Sequence, residues 1–388
     1  MNSALMQLSS EHQELAKTVR DFANQVIAPV AAKHDREHSF PYEVIQQMGS
    51  MGLFGLPFPE EVGGMGGDFL SLCLAIEELA CIDQSVAVTL EACVGLASMP
   101  IFRFGSDEQK EKYLPPLISG EAIGAFGLTE ADGGSDASQL RTTARLENNE
   151  WVINGSKTFI TNSGTSITSL VILACITGTK EDGTKEISTI IVPSGTPGFT
   201  VEPAYYKVGW HASDTHGLAF SDVHVPASNL LGERGRGYAN FLQALDEGRI
   251  AIAALAVGAA QGCIDESLRY AKQRKAFGKT IGEHQSIAFK IAEMQARTHV
   301  ARLAYYHAAF LLGAGKDFKT AASIAKLVAS EAAMDNARAA TQIFGGYGFM
   351  DEFLVARHYR DSKILEIGEG TSEVQKMLIA RSLGLKAE

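Results

Sequence analysis

Residues 151–162 read Trp151-Val152-Ile153-Asn154-Gly155-Ser156-Lys157-Thr158-Phe159-Ile160-Thr161-Asn162. A β-forming triplet, an Asn-Gly pair and the run at residues 158–161 make a strong hairpin signal. Asn-Gly readily supplies the two positive-φ positions of a type I′ turn. Working outward, residues 170–174 and 188–192 are further runs rich in β-branched residues. Pro197-Gly198 is a turn, and Leu218, Phe220 and Val223 lie in another strand that Pro226 closes. No helical pattern interrupts them, so this part reads as a compact β-domain.

Both flanks are helical. On the N-terminal side Ser10 and Gln13 form a capping box, and Leu15, Val19, Phe22 and Val26 then share one helical face. Residues 41–48 and 70–80 carry helical patterns, Gly63, Gly64, Gly66 and Gly67 mark a loop, and Ser106 with Gln109 repeats the capping box before residues 110–114. The character changes near Phe126. After Gly237, Ala-rich helical segments cover residues 239–273, 285–312 and 319–343, and a last one runs from Thr371-Ser372 to Leu383. The expected fold is α+β and multidomain. It has an N-terminal α-helical domain (1–125), a central β-barrel-like domain (126–236) and a C-terminal four-helix bundle (237–388).

The chain has 388 residues, enough for two or three domains of roughly 150 residues each. Its hydrophobic fraction of 46% and charged fraction of 20% exclude a disordered chain. A formal net charge of −11 argues against nucleic acid as the main partner. Cys73, Cys81, Cys93, Cys175 and Cys263 are odd in number and form no Cys-x-x-Cys, which reads as buried thiols in a reducing compartment. The first residues have neither a basic segment before an apolar run nor an Arg-rich, acid-poor character. The most apolar stretch, residues 250–260, is too short to span a bilayer. The expectation is a soluble protein of the cytoplasm, or of the mitochondrial matrix if it is a processed eukaryotic chain, with no membrane insertion.

Several chemistries lack their motifs. There is no Gly-x-Gly-x-x-Gly; Gly232, Gly235 and Gly237 have the spacings reversed. There is no P-loop, no His-Glu-x-x-His and no EF-hand loop. Gly133-Gly134-Ser135-Asp136-Ala137 lacks the final glycine of a nucleophile elbow. The ten histidines show no ligand spacing, so no metal is expected. What remains is a set of polar, Gly-rich loops at domain junctions: residues 129–136, 342–348 and 369–372. Taken singly, each is a turn, a glycine C-cap or an N-cap.

Taken in chain order they resemble the acyl-CoA dehydrogenase flavoenzymes. Leu128-Thr129-Glu130 through Gly134-Ser135-Asp136 is similar to that family's first signature. Residues 151–162, with Asn-Gly-x-Lys and Ile-Thr-Asn, match the family as well. Gln273-Arg274-Lys275-Ala276-Phe277-Gly278 and Glu283-His284-Gln285 look like its flavin-contacting C-terminal segment. Gln342 to Gly346 and Glu369 to Thr371 complete the set, and Asp222, Val225-Pro226 and Leu231-Gly232 match its β-domain exit. The resemblance covers nearly the whole chain.

It implies FAD-dependent α,β-dehydrogenation of an acyl-CoA thioester to a trans-2-enoyl-CoA, with Glu369 as the base and flavin N5 as hydride acceptor. By resemblance, Phe126, Leu128, Thr129, Gly134 and Ser135 flank one side of the flavin, and Phe159 and Thr161 lie against its ring. Arg274, Phe277, Gln285, Gln342, Gly345 and Gly346 would hold pyrophosphate and adenine across a subunit boundary, with Thr371 and Glu373 near the same cofactor. Ser135, Asp246, Arg249, Gly370 and Arg381 are candidates for the CoA moiety, and Glu91 for the acyl pocket, with Thr89, Leu90, Val94 and Gly95. An electron-transferring flavoprotein is the implied partner and a homotetramer the implied assembly.

The family's second base position falls on Gly248, which cannot take a proton. Glu247 points about 100° away on a helix and reads as a surface or ion-pair residue. For Glu369, the following helix N-terminus favours the carboxylate and a dry acyl pocket favours the acid. Ala131-Asp132 replaces the family's usual Pro-x, Phe159 stands where Trp is common, and Gly368 where many members carry Tyr. Glu91 resembles the medium-chain pattern, whereas Gly368 also occurs in short- and branched-chain members. A short-to-medium acyl group is expected. Rival readings are an oxidase or a biosynthetic dehydrogenase of the same fold, and a non-catalytic DNA-binding flavoprotein, which the net charge disfavours.

Overall fold

The structure is a computed structural model describing residues 8–386. The first part is helical: α1 (Ser10–Phe22), α2 (Ala28–Glu37), α3 (Tyr42–Ser50), α4 (Phe69–Ala80), α5 (Gln84–Glu91), α6 (Met99–Phe104) and α7 (Asp107–Ile118). Ser9, not Ser10, caps α1: its hydroxyl accepts the His12 N–H at 3.1 Å, while Gln13 donates to the Leu8 carbonyl. Two adjacent serines offer the same hydroxyl, and the one in extended backbone, ψ 165°, is the cap. The Ser106–Gln109 capping box is present, and the Gln109 amide also donates to the Ser228 and Leu230 carbonyls. Thr89, Leu90, Glu91, Val94 and Gly95, helical by the family resemblance, lie in a rod formed by α5, residues 92–98 and α6. Asp83 caps it, and residues 92–98 widen into π-helix.

The middle part is one sheet: β1 (Ile123–Gly127), β2 (Thr143–Glu147), β3 (Glu150–Thr161), β4 (Thr168–Thr179), β5 (Lys185–Pro193), β6 (Phe199–Ala204), β7 (Thr215–Pro226) and β8 (Leu230–Leu231). Its order is β6-β7-β3-β2-β4-β5-β8, and β1 pairs with β4 in parallel. β5 follows β4 along residues 170–179, so β1 and β2 share the other edge of β4 end to end.

The hairpin is displaced from its expected position. Asn148-Asn149, both at positive φ (49° and 65°), turn β2 into β3, whereas Asn154-Gly155 lies inside β3. Asn154 exchanges two side-chain hydrogen bonds with Asp222 on β7, each 2.9 Å. Gly155, φ 147°, sits where a Cβ would fall 2.5 Å from the Thr142 hydroxyl. The pair therefore serves an irregularity between β3 and β7.

The last part holds α8 (Gly237–Gln273), α9 (Gln285–Gly313), α10 (Lys319–Phe344), α11 (Leu354–Ser362) and α12 (Ser372–Ser382). The three long helices pack mutually, and α11 and α12 both lie on α10. α11 adds a fifth helix to the four expected. By length and composition α8 and the rod Gln84–Phe104 could each cross a membrane, contrary to the expectation from residues 250–260. Yet 83% and 94% of their apolar windows are buried inside the protein, as core helices are. α4 passes so close to α8 that a Cβ on Gly258 would lie 2.2 Å from the Glu77 carbonyl. The two helical parts thus share a core, while Trp151, Ile153, Val171, Leu173, Ile190 and Val223 fill a separate one within the sheet. All five cysteines are free and buried.

Candidate active site

Between α11 and α12 the chain makes a tight left-handed turn, Glu369 at φ 51° and Gly370 at φ 90°. Thr371 then caps α12, its hydroxyl accepting the Val374 N–H at 3.2 Å. A glutamate in left-handed backbone persists only where its surroundings over-determine it. Here the Gly370 carbonyl accepts from Lys326 Nζ at 2.8 Å and from Gln375 Nε2 at 2.9 Å.

The turn aims the Glu369 carboxyl at α8. A Cβ on Gly248 would lie 2.2 Å from Glu369 Oε2, so only glycine leaves room for the acid. That Oε2 is enclosed, and apart from Glu91 no residue donates to it. Glu91 comes from the other side, 1% exposed, and apart from Glu369 neither of its oxygens has a hydrogen-bond partner. Burial pushes Glu369 up to about 7, against the opposing pull of a proton on Glu91 and the charges of Lys326 and Arg249. Burial and then the Glu369 charge drive Glu91 well above the usual carboxylate range. The pair is one neutral acid and one base near neutrality.

Other predicted residues converge here. Asp246 and Arg249 pair across one turn in the N-terminal third of α8, both buried, with Lys319 3.5 Å from Asp246. Glu247 takes the second of its two expected roles: it is ion-paired with Arg103 and, at 3% exposed, does not lie at the surface.

The strand side is built by a second buried acid. Glu130 accepts from Lys157 Nζ at 2.7 Å, the Arg141 N–H at 2.6 Å and the Thr142 N–H at 3.1 Å. Lys157 also donates to the Leu128 carbonyl at 3.1 Å, and the Thr158 N–H to the Thr129 carbonyl at 2.9 Å. These bonds lay Phe126, Leu128 and Thr129 beside Phe159 and Thr161. The Phe126 ring packs on Phe241 of α8. Phe159 has φ 61° and remains 65% exposed, and Asn162 donates to the Thr89 carbonyl at 3.1 Å. The end of β3 thus meets the helix that carries Glu91.

Gly134 and Ser135 are exposed in the loop after Thr129, with open space around Gly134. Gly370 and Thr371 lie at the turn. Glu373 and Arg381 are exposed on α12. Arg274, Phe277, Gln285, Gln342, Gly345 and Gly346 gather elsewhere. Tyr270 stacks on Phe344, and Arg274 follows the end of α8. The 24 residues from Arg249 to Gln273 at about 1.5 Å each put this cluster about 36 Å from the Glu369 end of α8. Its members are exposed.

Two contributors lay outside the sequence reading: Lys326 sits mid-helix and Gln375 looks like an ordinary helix polar residue. Gly248 was noticed as a position that cannot be a base, but its use as space for the Glu369 carboxyl shows only in three dimensions.

This geometry has close counterparts. Family models described as acyl-CoA dehydrogenase N-terminal, middle and C-terminal domains match residues 9–121, 125–223 and 235–384. The short-chain specific acyl-CoA dehydrogenase of Clostridium acetobutylicum is 44% identical over 96% of this chain and 98% of its own. The solved butyryl-CoA dehydrogenase of Megasphaera elsdenii superposes with TM-score 0.94 at 44% identity, covering 98% and 99% of the two chains. A chain in the structure reported as "Electron transferring flavoprotein of Acidaminococcus fermentans: Towards a mechanism of flavin-based electron bifurcation" gives TM-score 0.94 at 40% identity, with coverage of 98% and 99%. The three matched domains span nearly the whole chain, and the chain belongs to the acyl-CoA dehydrogenase family.

Proposed function

We propose that this protein dehydrogenates a short-chain acyl-CoA to its trans-2-enoyl-CoA, with Glu369 removing the α-proton. The observation that carries this is the Glu369 carboxyl itself: aimed over Gly248, with no donor at Oε2 other than Glu91, and pushed up to about 7 by burial. A general base works best when its pKa lies near the working pH. The backbone N–H of Glu369, fixed by the left-handed turn, would polarise the thioester carbonyl as the α-carbon is deprotonated. Glu247 is committed to Arg103, which leaves Glu369 as the base.

The family is flavin-dependent, and the residues present fit FAD. Phe159 offers an open aromatic face on left-handed backbone, the Thr158 hydroxyl is buried without a partner, and the Gly134 turn is clear of side chains. Phe126, Leu128, Thr129, Gly134, Ser135, Phe159 and Thr161 would hold the flavin, with Thr371 and Glu373 near it. When bound, FAD supplies the two-electron acceptor for the β-hydride. The exposed Arg274 cluster stands too far along α8 to reach the same dinucleotide, so a second copy would supply Arg274, Phe277, Gln285, Gln342, Gly345 and Gly346. That supports an assembly of at least two copies, and the family resemblance extends it to a homotetramer. Ser135, Asp246, Arg249, Gly370 and Arg381 are assigned to the CoA moiety and Glu91 to the acyl end. Electrons would leave to an electron-transferring flavoprotein. The working domain boundaries are 1–125, 126–236 and 237–388, and the expected location is the cytoplasm of a bacterium or the mitochondrial matrix.

The test is an anaerobic titration of the purified holoprotein with butyryl-, isobutyryl-, octanoyl- and palmitoyl-CoA, followed by the flavin absorbance. Butyryl-CoA is expected to bleach it, and Glu369→Gln to retain flavin yet lose roughly 10²–10⁴-fold in turnover. Flavin that no thioester bleaches, or near-normal turnover in Glu369→Gln, sinks the proposal.

A further inference from the structure

Lys326 is fully buried on α10, and no carboxylate pairs with it at ion-pair distance among the described residues. Its hydrogen bond is to the Gly370 carbonyl, 2.8 Å away. Burying an ammonium against one neutral carbonyl is costly, and a chain of this size has many apolar alternatives. Something else in its surroundings must answer the charge.

The charged groups around it can be taken in turn. From α8, Arg249 is engaged with Asp246. From the turn after α11, Glu366 is held by Lys363 at 2.6 Å. From α12, Glu373 is exposed to solvent. From α5, Glu91 is driven to its neutral form. Glu369 is the remaining acid, and it heads the charges that act on Lys326. One buried cation and one buried carboxylate are thus left without conventional partners, joined through a single residue's carbonyl.

We propose that Lys326 is a positioning residue for Glu369: it pins the left-handed Glu369-Gly370 turn through the Gly370 carbonyl and sets an otherwise unanswered positive charge against the base. The inference rests on the dehydrogenase reading above. Its physics is a division of labour. Gln375 also holds the Gly370 carbonyl, so the turn does not depend on Lys326 alone. The charge cannot be replaced in that way. It favours ionised Glu369 in a place where burial favours the acid, and the effect strengthens as substrate expels water. Burial lowers Lys326 to about 8, so the cation is present at neutral pH, where the base must be ionised.

The experiment compares native protein with Lys326→Met, which keeps the length and loses the charge, and Lys326→Arg, which keeps the charge. Lys326→Gln is a second neutral variant, should the methionine fail to fold. In the neutral variants the acid limb of the kcat/KM profile for butyryl-CoA is expected to rise by about one pH unit. At pH 7, kcat should fall about fivefold, while KM changes less than about threefold. Lys326→Arg should bring the limb back towards native. A second readout needs no turnover: the carboxyl ¹³C resonance of Glu369, assigned by its loss in Glu369→Gln, should titrate about one unit higher in the neutral variants. A neutral variant whose limb and resonance stay at the native position overturns the proposal. Native protein that turns over no thioester overturns the dehydrogenase reading instead, and the ¹³C titration then judges Lys326 by itself.

Discussion

Glu130 and Glu369 are both buried acids in signature turns, each with a lysine close by, and they are built to opposite ends. Glu130 spends its oxygens on an ammonium and two backbone N–H groups, and those bonds outweigh burial and pull it below the usual carboxylate range. Glu369 has no donor at Oε2 beyond Glu91, itself an acid, and its lysine bonds to the neighbouring carbonyl instead of to the carboxylate. Burial then prevails and lifts it to about 7. A satisfied buried acid is scaffold and a starved one is chemistry. Residue type alone distinguishes neither.

Isosteric substitutions push on this contrast. The largest effect is expected from Glu130→Gln, which strands the Lys157 ammonium in the sheet. It should cost about 3–5 kcal/mol in urea-induced unfolding, because one member of a buried pair is left alone. Glu130 is depressed, so the stability it brings is present above the ordinary glutamate range and is lost as pH falls through the lowered value. The difference between native and Glu130→Gln should therefore narrow in acid, and a difference that persists unchanged would break the comparison.

Gly248→Ala comes next. Its methyl group would occupy the space of Glu369 Oε2. Turnover per folded molecule should fall roughly 10²-fold with unfolding little changed, since misplacing a reacting group by about 1 Å has that consequence. Native-like turnover would mean that the carboxyl does not work from this position. The smallest effect has the opposite sign. Glu369 is raised, so its acid form favours the fold and the stability it lends is lost as pH climbs from about 4.5 through 7. Glu369→Gln should then be more stable than native at pH 8, by about 1–3 kcal/mol, and the gain should vanish below the unfolded-chain pKa. A destabilised Glu369→Gln would show that this acid, too, is scaffold.

The helix–sheet–helix order was legible because long apolar periodicities and β-branched runs act locally. Ser106 with Gln109 was legible for the same reason. Asn154-Gly155 misled because the same dipeptide suits a hairpin and a bulge, and only the partner strand decides. Asn148-Asn149 fits the turn without glycine, since asparagine tolerates left-handed backbone. The Gln84–Phe104 rod was legible only through the family resemblance, because it is apolar all round and shows no face. Glu369 was found through its motif. Lys326 and Gly248 act across helices, on α10 and α8, and nothing within a few residues of either announces the acid they serve.

The five thiols give the chain an unplanned defence. Every one is buried, and burial pushes each above its ordinary value, Cys93 to about 11 and Cys175 to about 12. Oxidants and electrophiles attack thiolates, and the native state exposes none from this set. Chemical ageing at sulfur must therefore wait for the protein to open. The lifetime of its cysteines then depends on how often the protein opens as well as on the redox tone of the compartment around it.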